Sequence, residues 1–326
     1  MRILVTGAAG FIGSHLVERL LDERHKVVGF DNLSVGNLRN LENARTSNAF
    51  CFIESDICNA DNFRVLDDSF DIVFHLAALA DIVPSIDDPD SYFRTNVQGT
   101  YNVMQFAREK NVKKVIYIAS SSCYGIPSQY PTPESAQIQP MYPYALTKYL
   151  GECIALHWSS VYKIPTTSLR FFNIYGPRAR TSGTYGAVFG VFLAQKLAGR
   201  PFTIVGDGNQ TRDFTYVTDA VDAMLVAMKS TRYGIYNVGS GNSYSINNLV
   251  KLLEGPSVHI PKRPGEPDCT FADIQKIKAE LGWIPKVSLE KGVSNMLKEI
   301  EYWRDAPLWS VESIEEATKS WFKYLG

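Results

Sequence analysis

Long hydrophobic runs are missing from this 326-residue chain, and no apolar stretch approaches membrane-spanning length, so no membrane association is expected. The opening MRILVTG lacks the charged and apolar regions of a signal peptide, which makes a cytoplasmic location the expectation. An excess of either charge is missing too. Lysine and arginine total 33 against 34 aspartates and glutamates, a formal net charge of -1. Such a balance gives no sign of nucleic-acid binding or of an acidic tail, so an anionic ligand must be held by local groups. Cysteine is scarce: Cys51, Cys58, Cys123, Cys153 and Cys269 show no CxxC spacing. A structural zinc site and a disulfide framework are thereby disfavoured, no metal is expected, and a reducing compartment is the natural setting. Internal repeats, low-complexity segments and long linkers are absent as well.

What is present is ordinary globular material, 45% hydrophobic and 21% charged, enough for a large core and more than one lobe. The first half alternates short β-branched runs (RILVT, KVVGF, AFCFIES, DIVFHLA, KVIYIAS, TTSLRFF) with amphipathic stretches such as FIGSHLVERLLDE. Nearly continuous apolar strands separated by helices indicate a parallel sheet covered on both faces, a doubly wound α/β architecture. Two longer helices are expected, one through DSYFRTNVQGTYNVMQFAREK and one starting near Tyr142. After about residue 172 the pattern loosens into loops such as NIYGPRARTSGTYG, VGDGNQTRDF and IPKRPGEPDC, which suggests a smaller lobe built for a substrate. The expected division is 1–172 for the sheet domain, with segments around 204–240 returning to it, and 173–326 mainly for that lobe. The tail PLWSVESIEEATKSWFKYLG reads as a packing element.

VTGAAGFIG places Gly7, Gly10 and Gly13 between the first strand and the first helix. Glycines there permit a tight turn, let backbone approach a pyrophosphate, and let the helix pack closely on the strand. Turns need glycine in any case, so the triplet gains meaning from an acid farther along the chain. Asp31 ends the second strand roughly 20 residues on, where a carboxylate accepts hydrogen bonds from ribose hydroxyls and repels a 2′-phosphate. This favours NAD over NADP, although a strand-end aspartate is also a common turn residue. Asp56 and Ile57 either meet the adenine or belong to an ordinary loop. HLAALA offers small residues (Leu76, Ala77, Ala78) that allow backbone to approach a cofactor, and His75 reads as a packed strand-end residue.

KVIYIAS runs into SSSCYG, putting Ser120, Ser121 and Ser122 at the carboxyl edge of the sheet, where hydroxyls can bind a substrate oxygen. In MYPYALTK, Pro143 fits a first helical turn, so Tyr144 and Lys148 share one face a turn apart. They are either a surface pair or a reactive one. An ammonium at about 4 Å and an effective dielectric of about 20 is worth roughly 4 kcal/mol, an upper bound of about three pKa units on a phenol that ordinarily titrates near 10. Lys148 is therefore expected to draw Tyr144 towards neutrality.

TGAAGFIG, HLAA, NVQGT, SSSCYG, YALTK, RFFNIYGP, GDGNQTRDFTYV and RPGEPDCTFAD, in this order over nearly the whole chain, resemble the extended short-chain dehydrogenase/reductase family, specifically its nucleotide-sugar epimerases and dehydratases. The resemblance implies a Rossmann domain with tightly bound NAD and a smaller lobe gripping the sugar nucleotide. It implies Tyr144 as base, Lys148 as its partner on the nicotinamide ribose, and Ser120 beside the sugar oxygen. Phe11, Ile12, Asn32 and Asn96 join the cofactor-binding set, Asn96 as a support of the site. Asn173, Arg212 and Arg263 fall where relatives contact the diphosphate, which guanidiniums grip in bidentate forks. Val205 falls near the base-binding strand.

The resembling dehydratases carry an Asp-Glu pair where this chain has Ser121 and Ser122, and the decarboxylating relatives a glutamate, so neither elimination nor decarboxylation is expected. ASSSCYG instead resembles the 4-epimerases, particularly those of UDP-N-acetylhexosamines. Thr270 stands where some relatives have a bulky tyrosine, and either leaves room for a larger sugar substituent or merely precedes a strand. The expected activity is an NAD-dependent nucleotide-sugar 4-epimerase. The alternative is a 4-dehydrogenase or 4-oxidase, for example of a GDP-heptose, and a non-catalytic NAD-binding protein is a third class. Residues 91–110 and 142–162 carry apolar side chains on more than one face, and the family's equivalent helices pair as a four-helix bundle, so a homodimer is expected. The sugar, and whether it is UDP- or GDP-linked, stay open.

Overall fold

A computed structural model describes residues 1–66, 69–179 and 187–326. The end of the loop expected over NIYGPRARTSGTYG therefore lies outside the described residues. Six strands, β1 (Arg2–Thr6), β2 (Lys26–Asp31), β3 (Phe50–Glu54), β4 (Ile72–His75), β5 (Lys114–Ser120) and β6 (Thr166–Phe171), are joined by a seventh, Ile235–Val238. The sheet is parallel throughout, in the order Ile235–Val238, β6, β5, β4, β1, β2, β3. The chain turns away from β1 in opposite directions to reach β2 and β4, and the crevice where a ligand binds lies at the carboxyl ends of those strands. This is the doubly wound Rossmann arrangement expected from the strand pattern.

Side chains alternate across each strand, and the sheet is buried on both faces accordingly. Ile3 and Val5 pack with Leu16, Val17, Leu20 and Met224 on one face. Leu4 packs with Val28, Val73, Val103, Phe106 and Val115 on the other. A separate core of Phe189, Phe192, Phe202, Leu249, Val293 and Trp303 belongs to the C-terminal half.

Two sequence expectations need amending. The helix foreseen across 90–110 is Pro89–Phe93, a π turn Arg94–Gly99, and Thr100–Glu109. In it the Thr100 hydroxyl donates to the Asn96 carbonyl at 2.7 Å. The return to the sheet placed around 204–240 is narrower. Helix Val217–Lys229 packs on Phe11–Asp22, and Ile235–Val238 extends the sheet. Phe202–Val205 instead pairs with Ser257–Ile260 outside it. Among the described residues no helix is long and apolar enough to cross a membrane.

Candidate active site

A cavity of about 790 Å³ opens along the carboxyl edge of the sheet. Gly7, Gly10, Phe11, Ile12, Gly13, Asp31, Asn32, Asp56, Ile57, Leu76, Ala77 and Ala78 line it, with Ser120, Ser121, Ser122, Tyr144 and Lys148. Asn173, Val205, Arg212, Arg263 and Thr270 line it from the C-terminal half. Gly7 and Thr270, 263 residues apart, thus meet at one crevice.

The glycine turn has the shape a dinucleotide needs. Gly7 has φ +71°, and a Cβ there would lie 2.7 Å from the Ala77 nitrogen. A Cβ on Gly13 would lie 2.1 Å from the Gly7 carbonyl oxygen. No side chain caps the helix Phe11–Asp22, so its first-turn N–H groups remain available to an anion. Asp31 accepts from the N–H of Ala9 at 3.0 Å and of Leu33 at 2.8 Å. Burial raises its carboxyl pKa, and these two bonds oppose the rise. The carboxylate is thus fixed beside the turn with lone pairs to spare for ribose hydroxyls. Asp56 accepts from the Cys58 N–H at 2.8 Å, which holds the adjoining loop. Turn, helix start and acid fit NAD on this structure's own geometry.

Asn96 is a correction: it does not line the cavity. Its side chain accepts from the Leu79 N–H at 2.9 Å and donates to the Leu79 carbonyl at 3.0 Å and to Thr147 at 3.1 Å. With its amide spent on Leu79 and Thr147, it supports the lining rather than touching a cofactor. His75 is packed between the Thr6 and Thr100 hydroxyls at 2.7 and 2.9 Å. Burial lowers its pKa to about 3, so the ring is neutral.

In the middle of the cavity the Tyr144 hydroxyl donates to Ser120 Oγ at 3.1 Å, and Ser122 Oγ donates to the same oxygen at 2.8 Å. The Ser122 N–H adds a third donor at 3.2 Å. The Ser120 oxygen has two lone pairs for these three donors to share, so it is fully engaged as an acceptor and its own O–H is left to donate into the cavity. Pro143 is the first residue of helix Pro143–Tyr162, which sets Tyr144 and Lys148 on one face. The expected electrostatics differ, however. Lys148 Nζ donates to the Ile118 carbonyl at 2.6 Å and lies 4.6 Å from the centre of the Tyr117 ring. Burial lowers its pKa to about 7, against the pull of Glu152. Burial likewise raises the Tyr144 pKa, with the Ser120 bond opposing, and Lys148 is not among its leading influences. Spacing alone suggested a strong downward pull; in this structure burial sets the direction, and it is upward.

At the far end Arg212 Nη2 pairs with Glu266 at 2.7 Å, while Arg263 Nη1 lies 3.7 Å from the other oxygen of Glu266. The Thr270 hydroxyl donates to Asn173 Oδ1 at 2.7 Å and accepts from the Asp213 N–H at 3.0 Å. Val205 ends its strand, and its carbonyl accepts from Gln210 at 2.7 Å. Sequence reasoning missed Glu266, Asp81, Tyr142, Arg178, Tyr302 and Trp321, all of which line the cavity. Only Glu266 had a visible signal, three residues after Arg263 in RPGE. Among the described residues no cluster of three possible metal ligands occurs.

Residues 3–239 match the model of the NAD dependent epimerase/dehydratase family. A UDP-glucose 4-epimerase of Mycolicibacterium smegmatis is 39% identical over 315 residues, covering 94% of this chain and 99% of that protein. The crystal structure of a Thermotoga maritima UDP-glucose 4-epimerase with UDP-glucose superposes with a TM-score of 0.85 at 35% identity, covering 94% of this chain and 99% of that one. A Bacillus cereus UDP-glucuronic acid 4-epimerase, in complex with UDP-glucuronic acid and NAD, gives 0.86 at 34% identity, covering 92% and 99%.

Proposed function

The chain belongs to the NAD-dependent epimerase/dehydratase family, and from that premise we propose that it is a UDP-sugar 4-epimerase. It is an enzyme that uses NAD. One observation carries the proposal: the Tyr144–Ser120 pair, 3.1 Å apart, lies in the same cavity as the glycine turn and the two arginines.

The glycine turn, the helix start and Asp31 hold the dinucleotide, and Lys148 borders the same space. Arg212 and Arg263, with Asn173, take the diphosphate, and the end of Phe202–Val205 takes the base. When bound, NAD supplies a hydride acceptor and donor at the sugar carbon, and a cationic ring that offsets the burial penalty on a phenolate. The Ser120 O–H donates to the sugar 4-oxygen and orients it. Tyr144 then takes the 4-hydroxyl proton and later returns it. Ser121 and Ser122 are too weakly acidic to expel water, which favours return over elimination. Residues 1–172 with 217–238 form the cofactor lobe, and most of 173–326 forms the substrate lobe.

Phe93, Tyr101, Leu146, Val161 and Tyr162 are exposed along the two long helical segments. We assign this apolar face to a homodimer contact. The activity is tested by incubating the purified protein with UDP- and GDP-linked sugars while following the sugar NMR spectrum and NADH absorbance. A mixture of UDP-hexose 4-epimers is the expected outcome. Lasting NADH with a released ketone would replace epimerisation by net 4-oxidation.

A further inference from the structure

The end of the chain reaches the cavity. Two short helices, Val311–Ala317 and Lys319–Leu325, follow the region matched by the family, and the second packs against Ile82–Asp87. Among the described residues Trp321 is the one tryptophan that lines the cavity, although it is only 3% exposed. Its indole N–H donates to the Pro264 carbonyl at 2.6 Å. The Arg263 guanidinium lies over its ring at 5.5 Å. The Tyr142 ring centre lies 6.3 Å from that of Trp321 and 6.3 Å from that of Tyr144, so ring contacts link the chain end to the reacting phenol.

The turn Arg263–Glu266 needs such a support. Gly265 has φ +68°, and a Cβ there would come within 3.3 Å of Met141 and 4.0 Å of Leu325. This short turn carries both Arg263 and Glu266, and Glu266 in turn pairs with Arg212 at 2.7 Å. A guanidinium on a long stem loses much rotamer freedom on ordering, and a ring beneath it together with an anchored backbone meets that loss before a ligand arrives.

We propose that the C-terminal helix is part of the substrate site, with Trp321 as a positioning residue that holds the Arg263–Glu266 turn ready for the nucleotide diphosphate. This rests on the UDP-sugar reading above. The Arg263 guanidinium does the binding; Trp321 acts through it.

The test measures UDP affinity and epimerase kinetics for wild type, Trp321→Ala, Trp321→Phe, Arg263→Ala and the double variant Trp321→Ala/Arg263→Ala. Trp321→Ala is expected to weaken UDP binding and raise KM at least fivefold, with kcat within about twofold and NAD content unchanged, although truncating a buried ring lowers the melting temperature; assays are therefore run well below it, on protein shown by circular dichroism to be folded. Trp321→Phe, which keeps a ring for Arg263, should recover most of the affinity, and the double variant should bind no worse than Arg263→Ala alone. Tryptophan fluorescence should respond to UDP in wild type and lose that response in Trp321→Phe while binding persists. Unchanged UDP affinity in Trp321→Ala overturns the proposal, as does a loss of NAD and thermal stability that accounts for the whole effect. A wild-type protein that binds no UDP and epimerises no UDP-sugar refutes the functional reading itself, and the proposal falls with it.

Discussion

Replacing Lys148 with methionine should change stability in a pH-dependent way whose sign is set by burial. Lys148 is 6% exposed, and its pKa falls from 10.5 to about 7 because desolvation penalises the ammonium. Below pH 7 the lysine is charged in both folded and unfolded chains, and the folded state bears the full penalty. Between about 7 and 10.5 the folded lysine sheds its proton while the unfolded one keeps it. The unfolded state then binds more protons, so the wild type gains stability as pH rises through this window. At about 1.36 kcal/mol per pH unit, the two units from 7 to 9 amount to about 2.7 kcal/mol. Lys148→Met lacks this titration, so its stability relative to wild type should drop by about 2.7 kcal/mol between pH 6 and pH 9. The lost Nζ bond to the Ile118 carbonyl adds a further cost; the part of it that depends on the charge of Nζ is already contained in the pKa shift, and only the remainder, roughly 1 kcal/mol, cancels in that comparison. Urea unfolding of both cofactor-free proteins at pH 6 and 9, fitted with a shared m-value, measures the quantity. A difference that stays constant to within about 0.5 kcal/mol, or that grows in the variant's favour with pH, would refute the burial argument.

Tyr144→Phe removes the hydroxyl bonded to Ser120 and should cost roughly 10²–10⁴-fold in turnover while leaving the fold and bound NAD intact; an NMR rate within tenfold of wild type removes Tyr144 from proton transfer. Light scattering should give twice the 36.5 kDa chain mass for the wild type. Leu146→Asp, at a position 46% exposed on helix Pro143–Tyr162, should shift the protein towards the monomer, and a monomeric wild type at working concentration rules out the contact.

The parts of the fold that read directly from sequence are those governed by short-range patterns. Strands β1 to β6 are nearly unbroken apolar runs, because a parallel sheet is covered on both faces. Gly7, Gly13 and Asp31 were legible because a βαβ unit fixes the distance from a strand end to the next strand. Tyr144 and Lys148 were legible as neighbours from helical spacing behind a proline. What failed depended on solvent or on distant chain. Spacing says nothing of desolvation, so the near-neutral pKa of Lys148 and the raised pKa of Tyr144 could not be foreseen. Asn96 was placed in the right region, but its bonds to Leu79 and Thr147 depend on how a π turn meets a loop. Trp321 meets Pro264 across 57 residues, with no periodic signal to link them.

A buried hydrogen-bond network explains how the site keeps its two hydroxyls in register. Ser168 and Arg170, two residues apart on β6 and so on one face, both donate to Glu152, at 2.5 and 2.7 Å. Glu152 lies one helical turn after Lys148, on the helix that carries Tyr144. The opposite end of the Arg170 guanidinium donates to the Tyr124 hydroxyl at 2.9 Å, and Tyr124 donates to Asn237 at 2.7 Å. Tyr124 closes the 3₁₀ turn Ser121–Tyr124 that comes directly after Ser120. One guanidinium therefore ties the tyrosine's helix to the serine's turn. Because Arg170 and Glu152 are 3% and 1% exposed, removing either leaves a buried charge without its partner. That loss, about 3–5 kcal/mol, falls on the two elements whose separation fixes the Ser120–Tyr144 hydrogen bond.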